Sequence, residues 1–319
     1  SRVFFWSAVL GTLANLGLVW EGNSYATLLL LRFITGFFLA GIYPVGMQIA
    51  TGWFRRGLGQ ALGFLVGALV VGTAFPHLLK STGQSIPWEQ VILSISGISL
   101  TGGLLMFFLV PDGPYLVNGT KFDSKAFIVI FRSRNLRCAS FGYFGHMWEL
   151  YAFWSLAAMY LTASLRGAGS VLGEYVPLLT FIVIAAGSTG CILGGWISRR
   201  VGERNVALVS LVVSGSLCGM SWWIFDQSAP VVAAGILVWG IFVIADSPQF
   251  SALAARHCPP QYTGTALTIQ NGIGFGITVL SIQLTAGLGQ SLGWKWAFVS
   301  LAIGPLLGAS ALSRLRRSS

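Results

Sequence analysis

Apolar runs of roughly 20 residues, enough to cross a hydrocarbon core, recur along the whole chain between short segments rich in Gly, Pro, Arg and Lys. This pattern predicts about ten spans, at 3–20, 25–50, 58–79, 89–110, 138–163, 174–197, 206–225, 230–254, 264–288 and 294–313. The fold class it implies is an all-α polytopic membrane protein. Glycines inside the runs let helices approach closely in lipid. The stretch from Pro111 to Arg137 is the longest polar connection. It divides the chain into a four-helix bundle (1–112), a cytoplasmic linker (113–137) and a six-helix bundle (138–319).

Composition sharpens this picture. The chain is 55% hydrophobic and 9% charged, whereas a soluble domain carries about a quarter charged residues, so a soluble fold is excluded. The net charge of +10 would in a soluble protein point to nucleic acid. In a membrane protein it reports the cytoplasmic loops, and no nucleic-acid partner is expected. With loops numbered alternately, one set holds Arg2, Arg55, Arg56, Lys121, Lys125, Arg132, Arg134, Arg137, Arg199, Arg200, Arg204, Arg256, Arg314, Arg316 and Arg317. The other holds Lys80, Arg166 and Lys295. Retention of Lys and Arg on the inner side places both termini in the cytoplasm, in what we expect to be a bacterial inner membrane. The four cysteines show neither disulfide nor metal spacing and read as free thiols. No metal or cofactor is expected. Asn118-Gly119-Thr120 fits a glycosylation triplet, but its expected cytoplasmic location argues against use.

The chain also repeats itself. Gly36 precedes Pro44 by the same interval as Gly240 precedes Pro248, at an offset of 248 − 44 = 204. Gly59, Ala61, Leu62 and Gly67 recur as Gly264, Ala266, Leu267 and Gly272, at an offset of 264 − 59 = 205. Two six-helix halves give such a pattern. Four spans before the linker against six after it, in a chain opening on Ser1, suggest a fragment of a twelve-helix protein.

These residues resemble the major facilitator superfamily over essentially the whole chain. The loop from Gly195 to Arg204 is similar to that family's Gly-x-x-x-Asp-Arg-x-Gly-x-Arg loop through Gly195, Arg200, Gly202 and Arg204, with Arg199 where the acid is expected. Arg32-Phe33-Ile34-Thr35-Gly36 resembles its fourth-helix Arg-x-x-x-Gly motif, and Trp53-Phe54-Arg55-Arg56-Gly57 the turn that follows. The resemblance implies two bundles that rock to give alternating access, with Gly195, Arg200, Gly202 and Arg204 in a conformational loop. It also implies a cavity lined by the absent first helix and the 25–50, 138–163 and 230–254 spans. The drug-antiporter signature is not met by Gly63 to Ala68, which favours uptake or facilitated transport. The stretches around His146 to Tyr151 and Asp246 to Phe250 are similar to a bacterial branch near the cyanate and nitrate type permeases.

Ionisable groups inside spans are costly and are therefore candidates for function. Glu149 follows His146 by one helical turn, so both share a face. Glu149 is a candidate to take and release a proton with His146 as relay; a structural hydrogen bond between helices is the alternative. Arg32 is the one Arg or Lys well inside a run, suited to hold an anion by a forked hydrogen bond or to bond carbonyls structurally. Asp246 and Gln249, one turn apart, are candidates for substrate or gate contact, or for packing. Gln270 and Asn271 offer uncharged donors and acceptors, which more often serve interhelical bonds. Trp148 and Tyr151 flank Glu149 and either shape a pocket or pack.

The function expected is secondary transport of a small solute, with an anion as the candidate cargo and protons as a candidate coupling ion. A ligand-binding membrane sensor or transport-inactive relative is the alternative. Neither a nucleophile constellation nor a metal cluster points to an enzyme, and the protein is expected to be monomeric in the bilayer.

Overall fold

The computed structural model describes residues 2–54, 56–82, 86–115, 132–259 and 262–315. The Asn118 triplet, most of the expected linker, and Arg55, Lys121, Lys125, Arg316 and Arg317 lie outside these residues. The described residues are helical throughout, without strands. Thirteen α-helices are numbered here in chain order: α1 Arg2–Leu16, α2 Tyr25–Leu39, α3 Tyr43–Trp53, α4 Leu58–Ser81, α5 Trp88–Leu109, α6 Arg134–Leu161 and α7 Val176–Val201. They continue as α8 Glu203–Phe225, α9 Ala229–Ala245, α10 Ser247–His257, α11 Thr263–Ser291, α12 Trp294–Ala297 and α13 Ile303–Ser313.

Two of the predicted spans are interrupted. The 25–50 span is α2 and α3 with a turn between them, and the 230–254 span is α9 and α10 with a break at Asp246. The cause is proline. Pro44 and Pro248 lack an N–H and would clash with the preceding turn, so each sits in the first turn of a new helix. The repeat seen in the sequence is thus also a repeat of breaks, since α3 and α10 start at an offset of 247 − 43 = 204.

Among the described residues nine segments are long and apolar enough to cross a membrane, and the chain is a multi-pass integral membrane protein. The tenth predicted span, α6, is not among them. It has 28 residues, about 42 Å at 1.5 Å per residue, but carries His146 and Glu149 and is the most polar of the long helices. It starts four residues before the predicted 138, because Ser133 caps it by accepting from the Leu136 N–H.

Contacts divide the chain into two compact units, Ser1–Arg56 with Ser85–Thr120, and Gly57–Gln84 with Lys121–Ser319. In the first, α1 packs on α5 and α2. A polar chain leads from its interior to the exposed Arg32: Asn15 Nδ2 donates to Ser96 Oγ at 3.0 Å, and Arg32 Nη1 reaches Asn15 Oδ1 at 3.4 Å.

In the second unit, α6 lies against α11 and α13, and α7 against α9 and α4. Buried aromatic rings close its core, with Phe153 against Trp239 at 4.8 Å and Tyr160 stacked on Phe298 at 5.0 Å between centroids. The α4–α7 seam is backbone on backbone. A Cβ at Gly63 would lie 2.6 Å from the Cys191 carbonyl oxygen, and one at Gly195 would lie 2.6 Å from that of Gly59. No other residue type fits these positions without parting the helices.

Candidate functional site

The second unit's interior collects the polar side chains that the hydropathy pattern singled out. Glu149, at the middle of α6, is 1% exposed. Its carboxylate accepts from Trp239 Nε1 at 2.6 Å and Cys218 Sγ at 3.2 Å on one oxygen, and from Ser214 Oγ at 2.9 Å on the other. Ser214 and Cys218 are one turn apart on α8, and Trp239 comes from α9. Three helices therefore meet on a single carboxylate. A buried charge without partners would be prohibitive in hydrocarbon; here three neutral donors take the place of water.

His146 does not turn to Glu149. Its Nδ1 lies 2.8 Å from Asp246 Oδ1, with both side chains 1% exposed. The contact is close but too bent for a hydrogen bond, and His146 Nε2 has no hydrogen-bond partner among the described residues. Asp246 occupies the break between α9 and α10, which exists because Pro248 starts a new helix two residues later. Proline chemistry thus sets the aspartate opposite the histidine, about one hundred residues away in sequence.

Gln270 and Asn271 on α11 serve α6. Ser140 Oγ donates to Gln270 Oε1 at 3.2 Å, and Tyr143 Oη donates to Asn271 Oδ1 at 2.7 Å. Tyr143 also stands beside the His146 ring at 5.8 Å. Trp148 is half-buried and donates to the Ser300 carbonyl at 3.4 Å, while Tyr151 packs against Trp154 and Phe275. Gln249 is fully buried with neither amide atom paired. Arg32, in the first unit, forms no ion pair among the described residues and has Asn15 as its hydrogen-bond partner.

Sequence reasoning passed over Trp239, Ser214, Cys218 and Tyr143. One signal was there: an indole N–H at the centre of an apolar span requires an acceptor, and the chain offers few buried acceptors.

No family model matches the chain. The D-galactonate transporter of Escherichia coli O6:H1 is 22% identical over 349 residues, covering 97% of this chain and 78% of that protein. The probable sulfoacetate transporter SauU of Cupriavidus necator is 23% identical over 323 residues, covering 92% and 73%. Among solved structures, the E. coli fucose:proton symporter FucP matches with a TM-score of 0.71 at 15% identity, over 98% of this chain and 82% of that one. FucP in its outward conformation, described as a Major Facilitator Superfamily transporter, matches with a TM-score of 0.72 at 13% identity. The chain thus has the fold of major facilitator superfamily transporters, and the curated proteins it resembles in sequence are transporters. The proteins it matches are transporters, in line with the expectation that it is not an enzyme.

The superfamily's loop motif is the turn between α7 and α8. Gly202 adopts φ 85° and ψ 149°, a backbone open to glycine alone, and this reverses the chain within one residue. Arg204 then donates from Nε to the Leu312 carbonyl at 3.2 Å and from Nη2 to that of Ser313 at 2.8 Å. It caps the carbonyl end of α13 in place of the missing next turn. Arg200 lies over the Trp196 ring at 5.0 Å, a cation–π contact at the helix end. Arg199, standing where the motif has an acid, donates to Gln60 Oε1 at 3.2 Å. An acidic residue sits four positions later, where Glu203 pairs with Arg256 at 2.7 Å.

Proposed function

We propose that this chain is a secondary transporter that moves a small organic anion by alternating access, coupled to protons. The observation that carries the anion is Arg32. A guanidinium within an apolar span, with one long contact to Asn15 and no ion pair among the described residues, keeps its fork of donors free for a carboxylate or sulfonate. The relatives support this class, since the two compared above are a D-galactonate transporter and a probable sulfoacetate transporter.

Proton coupling is supported by three titratable groups, His146, Asp246 and Glu149, gathered in the second unit with no Lys or Arg among their hydrogen-bond or ion-pair partners within the described residues. Groups so placed change charge only at large cost, which makes their protonation sensitive to helix rearrangement. Gln249, Gln270, Asn271, Trp148 and Tyr151 are proposed to line or support the path. The cytoplasmic location of both termini, the bacterial inner membrane, the bundle division at 113–137 and the monomeric state belong to the same reading.

The test is uptake by the purified protein in proteoliposomes under an imposed pH gradient, with radiolabelled galactonate, sulfoacetate and neutral fucose as probes. Saturable accumulation of an anion, lost in Arg32→Gln, is expected. Binding of an anion without net flux would favour the sensor reading, and accumulation of fucose alone would remove Arg32 from substrate recognition.

A further inference from the structure

Gln249 combines complete burial with complete lack of partners. It is 0% exposed, and among the described residues neither Oε1 nor Nε2 has a hydrogen-bond partner. Buried amides are almost always paired, so an orphaned one needs a physical account. Its surroundings are specific. The Cβ position of Gly59, on α4, is 3.1 Å from Gln249 Oε1 and 2.9 Å from Ser198 Oγ of α7. Ser198 cannot satisfy the amide by donating, because its hydroxyl is committed to the Gly195 carbonyl at 2.8 Å. The amide is therefore sealed under the inner end of the α4–α7 seam, where Gly59 and Gly195 bring backbone against backbone.

We propose that Gln249 is a built-in bias against this closed seam: its unpaired amide destabilises the packed arrangement of α4 on α7 and α10, and becomes satisfied when α4 withdraws and water enters. The physical basis is an asymmetry. A buried polar group without a partner loses its water and gains nothing in return, whereas the same group in the opened seam keeps its hydration. The seam itself suits release. It closes through glycine backbone rather than interlocking side chains, and its rim contact, Arg199 to Gln60, is a single exposed hydrogen bond of 3.2 Å. Met or Leu at 249 fills a comparable volume without a group to hydrate, so it removes the bias while keeping the packing. The inference rests on the seam alone and holds whatever solute the protein carries.

Ser198 reports the opening, because it is buried in the closed seam. With Cys138, Cys191, Cys218 and Cys258 replaced by Ser, Ser198→Cys is introduced and its alkylation by N-ethylmaleimide is timed in nanodiscs. Adding Gln249→Met or Gln249→Leu should slow labelling about tenfold, the effect of roughly one unpaired polar group, and should raise the thermal melting point. Labelling as fast as, or faster than, that with Gln249 in both variants overturns the proposal. So does a loss of folding in both, since neither result is compatible with an amide that destabilises the closed seam.

Discussion

The indole of Trp239 and the carboxylate of Glu149 meet at 2.6 Å in the interior of the second unit, both almost wholly shielded from solvent. The tryptophan can only donate and an ionised carboxylate can only accept. Neither finds an easy substitute in hydrocarbon.

Replacing the indole while keeping an aromatic ring tests that bond. Trp239→Phe should destabilise the protein by about 1–3 kcal/mol, the range for leaving a buried acceptor short of a donor, read as a lower thermal midpoint in detergent. In a Glu149→Gln background the same substitution should cost less, because the charge that needed the donor is gone. Additive losses would show that the ring's packing against Phe153 and Phe298, and not its N–H, carries the effect.

Coupling is tested at both buried acidic sites. In proteoliposomes Glu149→Gln, and separately Asp246→Asn, should abolish accumulation driven by a pH gradient while leaving counterflow exchange, which needs no net proton movement. Normal accumulation by either variant removes that carboxylate from the proton path. Loss of both accumulation and exchange assigns it to structure.

Orientation is read by thiol labelling at exposed positions. The α7–α8 turn is expected inside and the α8–α9 turn outside, from the Lys and Arg bias. In a cysteine-free background, a cysteine at Arg199 should resist an impermeant maleimide added to intact cells, and one at Ser228 should react. Arg199 and Ser228 are both exposed, whereas the neighbouring Ser198 is buried and labels only as the α4–α7 seam opens. Reaction at Arg199 from outside inverts the topology.

Cys258 lies one residue past α10, and burial pushes its thiol up to about 11. A raised thiol value means less thiolate at a given pH, so at pH 8 only about one molecule in a thousand is reactive, against about a quarter for an ordinary thiol. Iodoacetamide alkylation of the Cys258 peptide, followed by mass spectrometry, should rise about tenfold per pH unit between 8 and 10. A plateau above pH 9 would show a thiol near its usual value.

The fold was legible because lipid imposes strong rules on sequence: span length, loop charge and the glycine–proline repeat each report a backbone constraint that acts locally. The breaks before Pro44 and Pro248 were visible as repeated residues, yet hydropathy averages across them, and both spans read as continuous. The site was legible in its members but not in its pairings. His146 and Glu149 share a helical face by spacing, but each finds its partners on other helices, His146 on Asp246 and Glu149 on Ser214, Cys218 and Trp239. Spacing along one helix carries no information about which neighbour approaches it. Arg32 was recognisable from its position alone, because a cation within an apolar span is rare whatever surrounds it.

The polarity of α6 bears on how the protein is made. A nascent helix enters the bilayer from the translocon one segment at a time, and a central carboxylate costs about 2.5–3.5 kcal/mol at that step. The helix with Glu149 and His146 at its middle is poorly suited to partition alone, and its hydrogen-bond donors on α8 and α9 have not yet been synthesised when it emerges. On the proposed topology Arg134 and Arg137 at its start would hold its first turn on the side where it is made, and α6 would wait at the channel until those helices arrive. Were it to slip past, α7 and every helix after it would insert with the opposite orientation. The polar residues of the candidate site thus also make α6 the long helix least suited to enter the bilayer alone.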